Sequence, residues 1–132
     1  MFVDASAIVA MMTDERHAAE LAARLGRAAT RLTSAVAVFE ATAAVARVLA
    51  LPVPTAGEAV SEFLGLMAIE VVPLPAEIAP LAVDAFARFG KGQRHPAQLN
   101  MGDCVAYACA RFYEQPLLFK GADFSQTDVE PA

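Results

Sequence analysis

Cysteine and histidine are scarce in this sequence, two of each among 132 residues. His17 and His95 are isolated from each other and from the cysteines, and no C-x-x-C or mixed Cys/His cluster occurs, so a zinc site is not indicated. Cys104 and Cys109 lie in one helical stretch, their side chains turned about 140° apart, which excludes a disulfide within that helix. They read as two small buried hydrophobes and permit a reducing compartment. Long apolar runs are missing as well. No stretch of about eighteen apolar residues is free of a charge or a breaker, so a membrane span is not expected. The opening "MFVDAS" carries an acid at position 4 and no basic region ahead of it, giving no sign of a signal peptide and an expected cytoplasmic location. An excess of basic charge is also absent: 10 Lys and Arg against 15 Asp and Glu give a net charge of −5. That balance argues against broad, sequence-blind adhesion to nucleic acid, while permitting an acidic cleft for a metal cation and a basic partner protein.

What is present is an alanine-rich chain, 57% hydrophobic and 19% charged, a composition that favours tightly packed helices over disorder. Residues 1–132 are expected to form a single domain with a real core. A short strand over 2–4 is cut off by Asp-Ala-Ser, and Ser6 is expected to cap the helical run behind it. "DERHAAELAARLGRAA" is amphipathic through Ala18, Leu21, Ala22 and Leu25, with Gly26 as a candidate stop. "TRLTS" allows a short strand. Ser34 then caps a long helix ending near Pro52, and Thr55 with Glu58 reads as the capping box of the next helix. "IEVVPL" reads as a buried strand. "PAEIAPLAVDAFARFG" is a helix begun by a proline and stopped by Gly90, and residues 91–99 form a basic loop. Asn100 caps the following helix, "PLLFKG" is a strand, and "VEP" is a candidate edge strand. Strands alternating with single or paired helices predict a three-layer α/β/α sandwich with a mainly parallel sheet. The long crossover over 34–67 is expected to project in part as a helical hairpin.

The acids carry the functional signal. Asp4 ends the first strand and Asp123 follows the fourth. In an open parallel sheet the crevice beyond the carboxyl ends of the strands is the usual ligand site, and both carboxylates enter it if those strands are neighbours. Asp103 opens the otherwise apolar helix in "HPAQLNMGDCVAYACARFY", and Glu40 is the lone acid in "SAVAVFEATAAVARVL". Each has an ordinary explanation taken singly. Asp4 and Asp123 suit turns, Asp103 suits the positive end of a helix dipole, and Glu40 suits a solvated helix face. Gathered together, four carboxylates repel unless a divalent cation neutralises them, and oxygen ligands of this kind suit Mg²⁺ or Mn²⁺ rather than zinc. Such a site would polarise a phosphoryl group and lower the pKa of bound water. Ser6 is placed to orient Asp4 or hold a metal-bound water, or only to cap.

Four segments in this order resemble the PIN-domain ribonucleases of the VapC toxin family, and the similarity covers essentially the whole chain. "FVDASAIVA" matches the family opening, which implies Asp4 as a metal ligand and Ser6 as its supporting hydroxyl. "AVAVFEATAAVAR" resembles the segment that supplies a glutamate, here Glu40. "GKGQRHPAQLNMGDCVAYACA" resembles the most distinctive motif, with Asp103 as its central acid, and "PLLFKGADFSQTDV" the strand and turn with Asp123 and the further carboxylate Asp128. The resemblance implies a PIN-like fold and a homodimer in which residues 34–67 supply contacts. It also implies a cognate VapB-type antitoxin whose tail occupies the acidic groove.

The function then expected is Mg²⁺-dependent hydrolysis of RNA phosphodiester bonds, with Mn²⁺ as a substitute ion, by the toxin of a type II toxin–antitoxin pair. Asp4, Glu40, Asp103 and Asp123 would hold one or two ions. Lys91, Arg94 and Lys120 are candidates for steering RNA phosphates, against the plainer reading of solvated loop and strand ends. Tyr107 and Phe112 read as core. A signalling receiver domain would want an acid pair at the first strand, where "VDAS" has one acid. A haloacid-dehalogenase-type phosphatase would want Asp-x-Asp where Asp4-Ala-Ser6 stands. A degenerate PIN-fold binding protein without cleavage is the remaining rival, disfavoured by the intact acid set. Within the helix that opens at Asn100, capping is assigned to Asn100 alone and Asp103 is assigned to the ion.

Overall fold

A computed structural model describes residues 1–132. Four short strands, β1 (Phe2–Val3), β2 (Leu32–Ser34), β3 (Glu70–Val72) and β4 (Leu117–Leu118), form one parallel sheet in the order β3-β2-β1-β4. Six helices connect them: α1 (Ala5–Met12) and α2 (Ala18–Gly26), α3 (Ala35–Val48) and α4 (Val53–Leu66), α5 (Ile78–Phe89) and α6 (Met101–Phe112). Successive residues of a strand face opposite ways, so the register Phe2↔Leu117 and Val3↔Leu118 sorts these four side chains onto two faces. Phe2 and Leu117 pack with α5 and α6, while Val3 and Leu118 pack with α1–α4. The result is the expected three-layer α/β/α sandwich.

The order of the strands positions the site. From β1 the chain moves outward through β2 to β3 on one side, then returns beneath the sheet through α5 and α6 to β4 on the other. The crevice beyond the carboxyl ends of β1 and β4 is therefore where the strand order reverses, the place where open α/β sheets bind ligands. Asp4 and Lys120 leave their strands into it.

Several local expectations change. Asp4, not Ser6, is the N-cap of α1, accepting from the Ser6 backbone N–H at 2.9 Å. An aspartate two residues earlier satisfies an orphan helix donor with a charged acceptor. Helix α4 begins at Val53 without a side-chain cap, so Thr55 and Glu58 lie inside it rather than forming a capping box. Pro54, in its first turn, has no N–H to leave orphaned there. Strand β3 is an edge: Glu70 and Val71 are exposed and only Val72 is buried, where a buried strand was expected. The first turn of α5 starts three residues after Pro75, at Ile78. Ser34 caps α3 through Ala37 N–H at 3.2 Å, and buried Thr33 donates its hydroxyl to Val3 O at 2.9 Å, as a buried hydroxyl must find a partner. "VEP" contributes a parallel bridge between Pro131 and Leu117. Cys104 and Cys109 are free and buried. Tyr107 is core, but Phe112 is partly exposed and stacks edge-on against Tyr113. No helix is long and apolar enough to cross a membrane.

Candidate metal centre and active site

An open cleft of about 430 Å³ lies over the carboxyl ends of β1 and β4, and its polar lining is Asp4, Ser6, Glu15, Glu40, Asn100, Asp103 and Lys120. Four elements converge there because each apolar body is fixed by core packing and each polar residue stands at a terminus or on the inward edge of a helix.

Asp4 is 4% exposed. Its Oδ2 accepts both the Ser6 N–H, at 2.9 Å, and the Ser6 hydroxyl, at 2.6 Å, which leaves Oδ1 for the cleft. Burial raises its pKa, opposed by those bonds from Ser6. Ser6 Oγ also accepts from the Lys120 backbone N–H at 3.0 Å, tying the end of β4 to the start of α1.

Glu40 reaches the cleft from the middle of α3 beside Gly102, in the first turn of α6. A Cβ on Gly102 would stand 2.2 Å from both carboxylate oxygens of Glu40, so only glycine leaves room for that side chain. The carboxyl is pushed up to about 7, first by burial and then by the charges of Asp4 and Asp103. Neither carboxylate oxygen takes part in an ion pair, and Arg47, seven residues on, does not reach it.

Asp103 has two tasks where one was expected. Its backbone N–H donates to Asn100 Oδ1, and its own Oδ2 accepts the Asn100 N–H, both at 2.9 Å, so the pair is a reciprocal capping box. The cap is thus shared by Asn100 and Asp103 rather than held by Asn100 alone as the sequence suggests, and the same acid closes the helix end and faces the cleft. Its carboxyl is pushed up to about 6 by burial, opposed by the Asn100 bond and helped by Asp4 and Asp123.

The remaining candidates lie further out. Asp123 is exposed at the start of a 3-10 turn over Phe124–Gln126, close enough for its charge to act on Asp103 but not lining the cleft. Lys91 and Arg94 are exposed in the loop before α6 and do not line the cleft either. Lys120 does, and its ammonium pairs with Glu15. Asp128 is turned to the far side of α6, where it accepts from Arg88 and from the Tyr107 hydroxyl, each at 2.6 Å. Sequence reasoning passed over Glu15 and Asn100 as cleft residues. The available signal for Glu15 was its place in "TDERH", the turn closing a helix that runs straight off β1.

The donor set suits a hard divalent cation: oxygen only, with Glu40 and Asp103 raised first by burial and then by neighbouring carboxylates, Asp4 among them in both cases, a repulsion that a cation would relieve. The carboxylates line one cleft, but no three acidic, histidine or cysteine side chains are drawn tightly enough to form a closed cage. The fit thus rests on donor chemistry and on the room Gly102 leaves for Glu40.

A three-layer α/β/α sandwich on one parallel sheet, with acids gathered beyond β1 and β4, defines a class of α/β proteins whose ligand site is an acidic crevice at the strand reversal. Comparison with known proteins narrows that class. A family model described as PIN domain matches residues 1–130. A VapC ribonuclease of Rhizobium meliloti is 39% identical over 139 residues, covering 97% of this chain and 98% of its own. Ribonuclease VapC28 of Mycobacterium tuberculosis is 39% identical over 132 residues, covering 100% of this chain and 97% of its own. Ribonuclease VapC42 of the same species is 38% identical over 132 residues, with 100% and 98% covered. The chain belongs to the PIN-domain family, in its VapC branch.

Proposed function

We propose that this chain, acting as one PIN domain over residues 1–132, is a Mg²⁺-dependent endoribonuclease and the toxin of a type II toxin–antitoxin pair. The observation that carries the reading is the meeting of Asp4, Glu40 and Asp103 on one cleft at the strand reversal, each with a raised carboxyl pKa. These three, with Asp123 at the rim, are the residues that would hold Mg²⁺, and Mn²⁺ is the natural substitute. Bound there, the ion supplies Lewis-acid polarisation of a phosphodiester oxygen and acidification of a water.

The chain's own residues do the rest. Ser6 fixes the rotamer of Asp4 through its hydroxyl. Asn100 fixes Asp103 through its backbone N–H, and Gly102 admits Glu40. Glu40, lining the cleft beside Asp4 and Asp103, would add a third carboxylate to the ion's ligands. Lys120 at the cleft, with Lys91 and Arg94 on the neighbouring loop, offers contacts to RNA phosphates on an otherwise acidic surface. Asp128, engaged by Arg88 and Tyr107, is left out of the ligand set.

Partners follow from the same reading: RNA as substrate, a cognate VapB-type antitoxin with its tail over the acidic cleft, and a second copy of the chain, all in the cytoplasm. The homodimer reading is supported by Phe39, 74% exposed, and by exposed Val53 and Leu66, all on the α3–α4 hairpin. Asp103→Asn is the direct test. Asparagine keeps an oxygen for the Asn100 N–H, so the helix start survives while the charge is lost. Mg²⁺-dependent RNA cleavage, followed on labelled RNA, is expected to disappear, and cleavage at the wild-type rate would sink the reading.

A further inference from the structure

Lys120 is the one cationic side chain lining the cleft, and it is surrounded by acids: Asp4, Glu40, Asp103 and Glu15 line the same space. It pairs with Glu15 and with none of the other three. The seat of Glu15 is built into the backbone. Helix α1 ends at Met12, Asp14 takes the left-handed conformation at φ 51°, and the Glu15 N–H turns back to Ala10 O at 3.0 Å. This six-to-one bond past a left-handed residue is the Schellman way of closing a helix, and it fixes Glu15 at the rim. The Thr13 hydroxyl donates to Val9 O at 2.8 Å with its oxygen 3.3 Å from Glu15 Oε1, and it is Oε2 that takes the ammonium. The backbone of Lys120 is held separately, through the Ser6 hydroxyl that also holds Asp4. The root of the lysine is therefore two hydrogen bonds from Asp4, within reach of a flexible four-carbon stem, and its head is drawn the other way.

We propose that Glu15 is a positioning residue that anchors the Lys120 ammonium at the rim, keeping it off Asp4, Glu40 and Asp103 so that those carboxylates stay open to a metal cation. This rests on the metal-site reading above. Glu40 takes part in no ion pair, so a lysine released from Glu15 has an acidic acceptor in the same cleft. An ammonium seated there competes directly with a divalent ion for the same charge.

The test is a double-substitution cycle on the purified full chain, with Mn²⁺ as probe and free Mn²⁺ measured by electron paramagnetic resonance. Glu15→Gln is expected to weaken Mn²⁺ binding about tenfold when Lys120 is present and less than about twofold in Lys120→Met, because the competing ammonium is then gone. Glu15→Asp, which keeps the charge, should stay within about twofold of the wild type. An equal loss in both lysine backgrounds would show that Glu15 acts only as bulk negative charge, and would overturn the proposal. No loss in Glu15→Gln, or Glu15→Asp as weak as Glu15→Gln, would overturn it too. In those cases Mn²⁺ binding that still vanishes in Asp4→Asn leaves the metal site standing. Wild-type protein that takes up no Mn²⁺ removes both.

Discussion

Two groups of carboxylates meet α6 one turn apart, at Asp103 and at Tyr107, and they differ in what surrounds them. At the helix start, Asp103 shares a cleft with Asp4 and Glu40, and all three carboxyls are raised by burial. Further along, Asp128 meets Arg88 and the Tyr107 hydroxyl and is held below the usual carboxylate range, first by the Tyr107 bond and then by Arg88. Arg88 is shared with Asp84 one turn back on α5 and lies over the Phe89 ring, so this group knits α5, α6 and the C-terminal segment together. The Asp128 group is complete in itself. The cleft group carries unpaired charge on a rigid frame, at a cost to stability that a cation would recover. Residue type does not separate the two; the nearest counter-charge does.

Gly102→Ala should break this contrast most sharply. The added methyl meets the mobile end of Glu40 rather than backbone, so the carboxylate moves and the fold stays. Mg²⁺-dependent cleavage is expected to fall on the order of 100-fold, as displacements of about an ångström at a reacting centre commonly do. The melting temperature should hold or rise, since alanine is the better helix residue at Gly102, inside α6. A loss of cleavage matched by a loss of fold would mean that Gly102 serves packing, not Glu40.

The pH dependence of stability comes next, and the two groups give opposite signs. Glu40 is raised from 4.5 to about 7, and Asp103 from 3.8 to about 6. A carboxyl whose folded pKa lies above its unfolded value favours the folded state at low pH, and that contribution is lost as pH rises through the folded value. In chelator, the melting temperature should therefore fall between about pH 5 and pH 7.5, Glu40→Gln should flatten the fall, and Mg²⁺ should reverse it. Asp128, lowered from 3.8, stabilises above that value and loses its contribution only in stronger acid. A melting temperature that rises across the neutral range would mean that the cleft acids are not destabilised by burial.

How far these groups were legible in the sequence depends on distance along the chain. The sandwich follows from strands alternating with helices, and the placing of Asp4 beyond a strand needs only local pattern. The pairing of β1 with β4, on which the shared crevice depends, enters the sequence reading only as a condition, since sequence does not print which strands are neighbours. Glu40 is readable as an oddity in an apolar helix, but its closeness to Gly102 joins residues 62 positions apart. The misjudged features are the ones with two competing local solutions. Asp4 and Ser6 are both good caps, and the backbone chose the one at the strand end. Asp103 had a cap reading and a site reading, and a carboxylate has two oxygens, enough for both. The tie between Asp128 and Arg88 spans 40 residues and left no local trace.

The smallest effect is expected from the Asp128 side, and it sharpens the contrast from the other direction. Tyr107→Phe keeps the buried ring against Phe89 and removes one hydroxyl. The lost bond to Asp128 should cost about 1 kcal/mol in urea unfolding, the usual net worth of a hydrogen bond, because Asp128 remains half in solvent and keeps Arg88. Cleavage and Mn²⁺ binding should stay at wild-type levels, since nothing in that network lines the cleft. The hydroxyl does sit on the same rigid helix as Asp103, one turn further on. If Tyr107→Phe lowered cleavage while leaving stability intact, the two groups of carboxylates would be coupled through α6, and Asp128 would belong to the site after all.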